Sequence, residues 1–185
     1  MDPLDLLLHP VRLRIVHAMS GGRTRTTSEL CAHFPDIPKT SLYRHVGLLA
    51  QAGVLEVADE QRVHGAVERH YRLRRDRATI DAESAATMSL DDHRNGFTAT
   101  LAALHADFNA YLDRAGADPV ADAIGYRQGI FWLTPEEHGE LVAAMLETLR
   151  PRVANEPAPE RIPYLMSIIQ FPIEEAPTRN AAEAD

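Results

Sequence analysis

The sequence predicts a mainly α-helical chain with small β elements, arranged as a helical N-terminal domain with a hairpin, one long helix, and a C-terminal strand-helix-strand unit. Three observations carry that expectation. Apolar residues recur at three- and four-residue spacing through the first fifty positions, with turn residues between the runs. Two strand-like runs, Val54-Leu55-Glu56-Val57 and residues 67–73, flank a polar stretch containing Gly65. A four-three rhythm of large residues then fills residues 81–115 and gives way to segments rich in strand formers.

Composition bounds the answer. At 185 residues the chain is long enough for one ordinary domain or two small ones. Cys31 is its only cysteine, which excludes an internal disulfide and points to a reducing, cytoplasmic setting. The leucine cluster at Leu4, Leu6, Leu7 and Leu8 is short and interrupted by Asp5 and Pro10, so neither a signal peptide nor a membrane span is expected. The net charge of -8 hides an asymmetry: residues 1–78 carry +3 and the remainder -11. A basic head on an acidic body suits a protein that lays one surface on a polyanion.

The elements follow in order. Pro10 suits a first helical position, and Val11, Leu13, Ile15, Val16 and Met19 continue a helix that stops at Ser20-Gly21-Gly22. Thr26-Thr27-Ser28-Glu29 fits a capping box, so a second helix starts there and Phe34-Pro35-Asp36 breaks it. A third runs from about Pro38 to a C-terminal cap at Gly53, with Leu42, Val46 and Leu49 stacked on one face. Helix, helix, turn, helix and then a hairpin is the order of a winged helix.

The large residues Leu90, Phe97, Leu101, Leu104 and Phe108 of the long helix need a partner surface, and a second copy of the chain is the expected one. Further on, residues 126–133 read as a strand and Thr134-Pro135-Glu136-Glu137 as a capped helix start. Residues 162–171 read as a second strand. The expected organisation is therefore a winged helix over 1–78, a dimerisation helix over 79–116, an α/β unit over 117–173 and a disordered acidic tail over 174–185.

The third helix holds the main candidate site. Lys39, Thr40, Ser41, Tyr43 and Arg44 crowd its start, and a helix presenting cation, hydroxyls and an aromatic there can enter a major groove of double-stranded DNA. Arg44 suits base reading, because a guanidinium fork matches guanine O6 and N7; Lys39, Thr40 and Ser41 suit phosphates. Arg62 and His64 in the hairpin tip are candidates for backbone or minor-groove contact, and Arg12, Arg14, Arg23 and Arg25 for the flanks. His45 is expected to pack between helices rather than to read bases.

With these residues in hand, HPVRLRIVHAM and TSELCAHFPDIPKTSLYRHVGLLAQAGVLE resemble the winged-helix domain of ArsR-type bacterial transcription regulators. HGAVERHYRL and WLTPEEHGELVAAMLETL are similar to a subgroup with an attached C-terminal region. The resemblance implies sequence-specific operator binding by a homodimer, usually as a repressor, with affinity altered by an effector. Metal-sensing members often carry two cysteines in the helix before the turn, where this chain has Glu29-Leu30-Cys31-Ala32-His33, and a lone thiolate and imidazole do not complete a four-ligand site.

For an effector, Phe97, Phe108, Phe131, Trp132, Tyr164 and Met166 are the candidate lining of an apolar pocket, with plain core packing as the alternative. No cofactor or metal is expected: His93 and His105 lie twelve residues apart, about 18 Å along a helix, too far to share one ion within a chain. Nor does the sequence offer a nucleophile elbow, a phosphate-cradling glycine loop or a His-Glu-x-x-His pair, so no enzyme is expected. Two other readings remain: a winged helix used for protein interaction, and a metal- or redox-sensing repressor.

Overall fold

The computed structural model describes residues 6–63, 66–78 and 82–174. It is mainly helical, with one small antiparallel sheet. Helix α1 (Pro10–Met19) has proline in its first turn, and at its N-cap His9 Nδ1 accepts the Val11 N–H. Strand β1 (Thr24–Thr26) leads into α2 (Thr27–His33), where the expected capping box forms. Thr26 accepts the Glu29 N–H and the Glu29 carboxylate accepts the Thr26 N–H, so two otherwise orphaned donors are satisfied.

Helix α3 (Lys39–Gln51) follows the turn and ends at Ala52, after which Gly53 takes φ 72°, a left-handed conformation a Cβ would strain. Strands β2 (Leu55–Val63) and β3 (Ala66–Leu73) form the predicted hairpin, with Leu55 opposite Leu73 and a bulge between Val57 and Asp59. The sheet has a third strand that sequence reading passes over: β1 pairs with β3, Thr26 opposite His70, giving the order β1-β3-β2.

One core holds this half together. Leu42, Val46 and Leu49 of α3 are buried as their spacing requires, packed with Ile15 and Met19 of α1, Leu30 of α2 and Leu55 of β2. Each such side chain withdrawn from water contributes roughly 1.5–3 kcal/mol.

The long helix differs from the expectation in two ways. It is broken: α4 (Ala82–Thr87) stops, and α5 (Leu90–Leu112) starts afresh at Ser89, which shares reciprocal hydrogen bonds with Asp92 in a second capping box. Satisfying those end groups makes a new start favourable at the point where a continuous helix was expected. The face of α5 laid on α1 is also not the large-residue stripe. It is Gly96, Ala99 and Ala103, and Gly96 comes so close that an added Cβ would stand 3.0 Å from Leu8 Cδ2.

In the C-terminal region α6 (Pro135–Val153) forms with its Thr134–Glu137 capping box and contains Pro151 in its last turn. The two flanking segments do not form the expected strands within the chain. Residues 126–133 and 162–171 make no ladder and no backbone hydrogen bond with other described residues. High strand propensity does not make a strand without an edge to pair with. Of the expected disordered tail, only Glu174 lies within the described residues.

Candidate nucleic-acid interface

Burying Leu42, Val46 and Leu49 turns the opposite side of α3 outward. Lys39, Thr40, Tyr43 and Arg44 are exposed there, Tyr43 by 54%, and Ser41 is half-buried. The same face continues through Gly47 and Gln51, which sequence reading did not single out; a Cβ added at Gly47 would meet nothing within 4 Å. Pro38, at the N-cap, supplies no side-chain hydrogen bond, so no cap side chain takes up the first-turn N–H groups. A helix start of that kind, with Lys39 beside it, attracts phosphate.

Ion pairing separates the basic residues into two sets. Arg69 is bound to Glu60 at 2.9 Å, Arg72 to Glu56 at 2.7 Å and Arg74 to Asp76 at 2.8 Å, all on the surface of the hairpin or just after it. Lys39, Arg44 and Arg62 have no acidic partner among the described residues. Arg62 is exposed opposite Val67 near the end of the hairpin, and His64 lies outside the described residues. Two of the expected flanking arginines are withdrawn from any interface: Arg12 and Arg14 are buried.

Arg14 has a different task. Its guanidinium takes Asp36, in the turn before α3, at 2.5 and 3.1 Å and takes Asp107 of α5 through Nε at 2.8 Å. It also lies 4.7 Å from the centre of the Phe34 ring. His17 Nδ1 stands 3.1 Å from the second oxygen of Asp107. Burial works against ionisation of Asp107, yet the hydrogen bonds from His17 and Arg14 outweigh it and hold the carboxyl below its usual range. One side chain thus ties the turn that aims α3 to the long helix.

His45 packs as expected, 2% exposed, with its ring 4.5 Å from that of His9. Burial first, then the nearby His9, Arg44 and Arg12, push its pKa down to about 4, so it is neutral at pH 7. A neutral imidazole is what a position beneath a cationic helix face can tolerate.

The residues offered for an effector pocket are not gathered in one place. Phe97 meets Phe171, Phe108 meets Tyr111 and Tyr126, and Phe131, Trp132, Tyr164 and Met166 are exposed. Met166 and Ile168 instead face Met145 and Leu149 of α6 across an open apolar groove. On α5, Leu90, Phe97 and Leu101 are exposed while Leu104 and Phe108 are half-buried. Among the described residues no three His, Cys, Asp or Glu side chains are grouped to hold a metal ion, and no helix is long and apolar enough to cross a membrane.

These elements make a helix-turn-helix with a hairpin wing and an outward α3 whose cations have no acidic partner among the described residues. In comparison with known families, residues 7–58 match the family model described as a helix-turn-helix domain, which spans α1 to the first part of β2. No curated protein matches the chain.

Proposed function

We propose that the chain is a sequence-specific transcription regulator of the ArsR type, acting as a homodimer on a near-palindromic operator and usually repressing. The observation that carries the reading is the division of α3 into a buried stripe and an outward face whose cations, Lys39 and Arg44, have no acidic partner among the described residues. Arg44 reads base edges, Lys39, Thr40 and Ser41 hold phosphates, Tyr43 packs on sugar or a thymine methyl, and Arg62 and His64 contact the flank. Two copies of α3 must stand about one duplex turn apart, roughly 34 Å, to read both half-sites.

Regulation follows from the same geometry. Arg14 joins the turn before α3 to α5, so a change in how two long helices meet is passed to the reading heads. An apolar effector in the C-terminal region acts only through unequal affinity for the two dimer geometries.

Selection of genomic fragments by the purified protein, followed by sequencing and footprinting, tests the reading. On the best site Arg44→Ala is expected to relax specificity at one base position at a cost of about 1–3 kcal/mol. Lys39→Ala is expected to weaken all sequences alike and reduce the salt slope by about 1. Failure to enrich any sequence, or equal losses on specific and random DNA for both variants, overturns it.

A further inference from the structure

We infer that His9, at the start of α1, is a further phosphate contact, its ring donating from Nε2 to the DNA backbone where that backbone passes the flank of α3. The inference deepens the DNA-binding reading and rests on it, and it brings a residue from outside the reading helix into the interface.

The hydrogen bonding of the ring fixes what it can offer. Nδ1 accepts the Val11 N–H at 3.2 Å and so caps α1. A neutral imidazole that accepts at Nδ1 carries its proton at Nε2, which makes the second nitrogen a donor. That donor has no partner among the described residues, and the half-buried ring leaves it open to water. The neighbouring His45 differs, because its unpartnered Nδ1 is shut away from solvent.

The place of the ring against α3 brings the donor to the edge of the outward face. Its centre lies 4.5 Å from that of His45. His45 shares with Ser41 and Leu48 a stripe that runs between the buried Leu42, Val46 and Leu49 and the exposed Thr40, Arg44 and Gly47. A helix lying in a major groove has a sugar-phosphate strand along each flank, and the first helix of such a domain crosses the backbone. On this flank stand Ser41, Arg44 and the N-terminal end of α1, whose dipole is positive there.

The surroundings suit an anion. Burial first, then Arg12 and Arg44, hold the His9 pKa below its ordinary value, and the same two arginines act on His45. On the α5 side Asp92 lines a hollow with Leu8 and Pro10, but its carboxylate accepts from the Ser89 N–H and hydroxyl. His9 is therefore neutral at pH 7 among cations. A phosphate at this flank meets the positive potential of Arg12 and Arg44 and a hydrogen bond whose direction the Val11 N–H has already set.

Anisotropy titrations of the full chain test this, using the duplex enriched from genomic fragments and a random duplex of equal length. His9→Asn keeps a good N-cap but is too short to present the donor, whereas His9→Phe keeps a ring against His45 and loses both nitrogens. Each variant is expected to bind both duplexes about three- to tenfold more weakly. The salt slope is expected to stay as it is, because a neutral donor releases no counterion. Between pH 7 and 8 the loss is expected to be constant, since the ring does not titrate there.

Natural affinity in His9→Asn reduces His9 to a helix cap, and natural affinity in His9→Phe reduces it to packing; either overturns the inference and leaves DNA binding standing. A loss confined to the enriched duplex makes His9 a base contact and overturns it as well. So does a loss that grows toward pH 6 with a salt slope lower by about 1, because the ring then binds as a cation. Failure of the natural chain to bind either duplex overturns this inference and the DNA-binding reading together.

Discussion

The two halves of this molecule handle apolar residues in opposite ways. In the N-terminal half Leu42, Val46 and Leu49 point inward and are covered by their own chain, so the outward face of α3 is mostly polar apart from Tyr43. In the C-terminal region, α6 and the segments beside it leave most of their apolar residues outside. A helix whose stripe is satisfied internally offers its other face as a reading surface. A helix whose stripe is not satisfied offers the stripe.

Four measurements sharpen that contrast, beginning with the strongest. Arg14→Ala removes the cation shared by Asp36 and Asp107, leaving Asp107 largely covered with His17 as its remaining partner. Half-exposed Asp36 softens the loss, so about 3 kcal/mol of N-terminal stability is expected to go, read as a lower urea midpoint. Amide exchange in α5 should accelerate as its tie to the domain is cut. An unchanged midpoint would mean that the two halves are joined in some other way.

The second is acidity. The unfolded chain protonates histidine near pH 6.5, while folded His45 stays neutral down to about 4. Its contribution is therefore complete above 6.5 and is lost as pH falls from 6.5 toward 4, by up to about 3 kcal/mol. His9, also depressed by burial and then by Arg12 and Arg44, adds in the same direction. The slope of stability with pH should flatten in His45→Gln, and a slope equal to that of the natural chain would remove His45 from the account.

Third, two glycine replacements tell the halves apart. Gly96→Leu drives a large side chain against Leu8 and is expected to cost about 1–3 kcal/mol. Gly139→Ala in α6 meets nothing within 4 Å and should strengthen its helix by up to about 1 kcal/mol. Finally, the two threonine capping boxes differ only in setting. Thr26→Ala, at a buried cap, is expected to lower domain stability by about 1 kcal/mol, whereas Thr134→Ala frays α6 and leaves the domain's unfolding where it was.

Much of the N-terminal half was legible because its signals are local. Proline in the first turn of α1, Thr26 with Glu29, and Gly53 after α3 each act through groups within a few residues. The outward face of α3 was legible too, since one buried stripe defines its opposite. Strand β1 was not: three polar residues have no period to read, and β3, more than forty residues away, supplies the pairing. The restart at Ser89 has a local signal, but Asp92 stands where Glu or Gln is the usual reciprocal partner and the apolar rhythm runs on across the break.

Which side of α5 meets the domain was hidden for another reason. Reading followed the large residues, while close approach of two helices selects the small ones, Gly96, Ala99 and Ala103. Arg14 likewise reads as one more basic residue near an outward-facing helix until Asp36 and Asp107 are brought to it from 22 and 93 positions away.

Order of elements, helix starts and the outward face of α3 are written in the chain, because hydrogen bonds to near neighbours and a 3.6-residue period act over a few positions. What the folded arrangement alone establishes is which arginines are spent inside, which face of the long helix is covered, and that residues 126–133 and 162–171 find no edge among the described residues. Those outcomes depend on groups far apart in sequence meeting in space, and no local pattern encodes who meets whom.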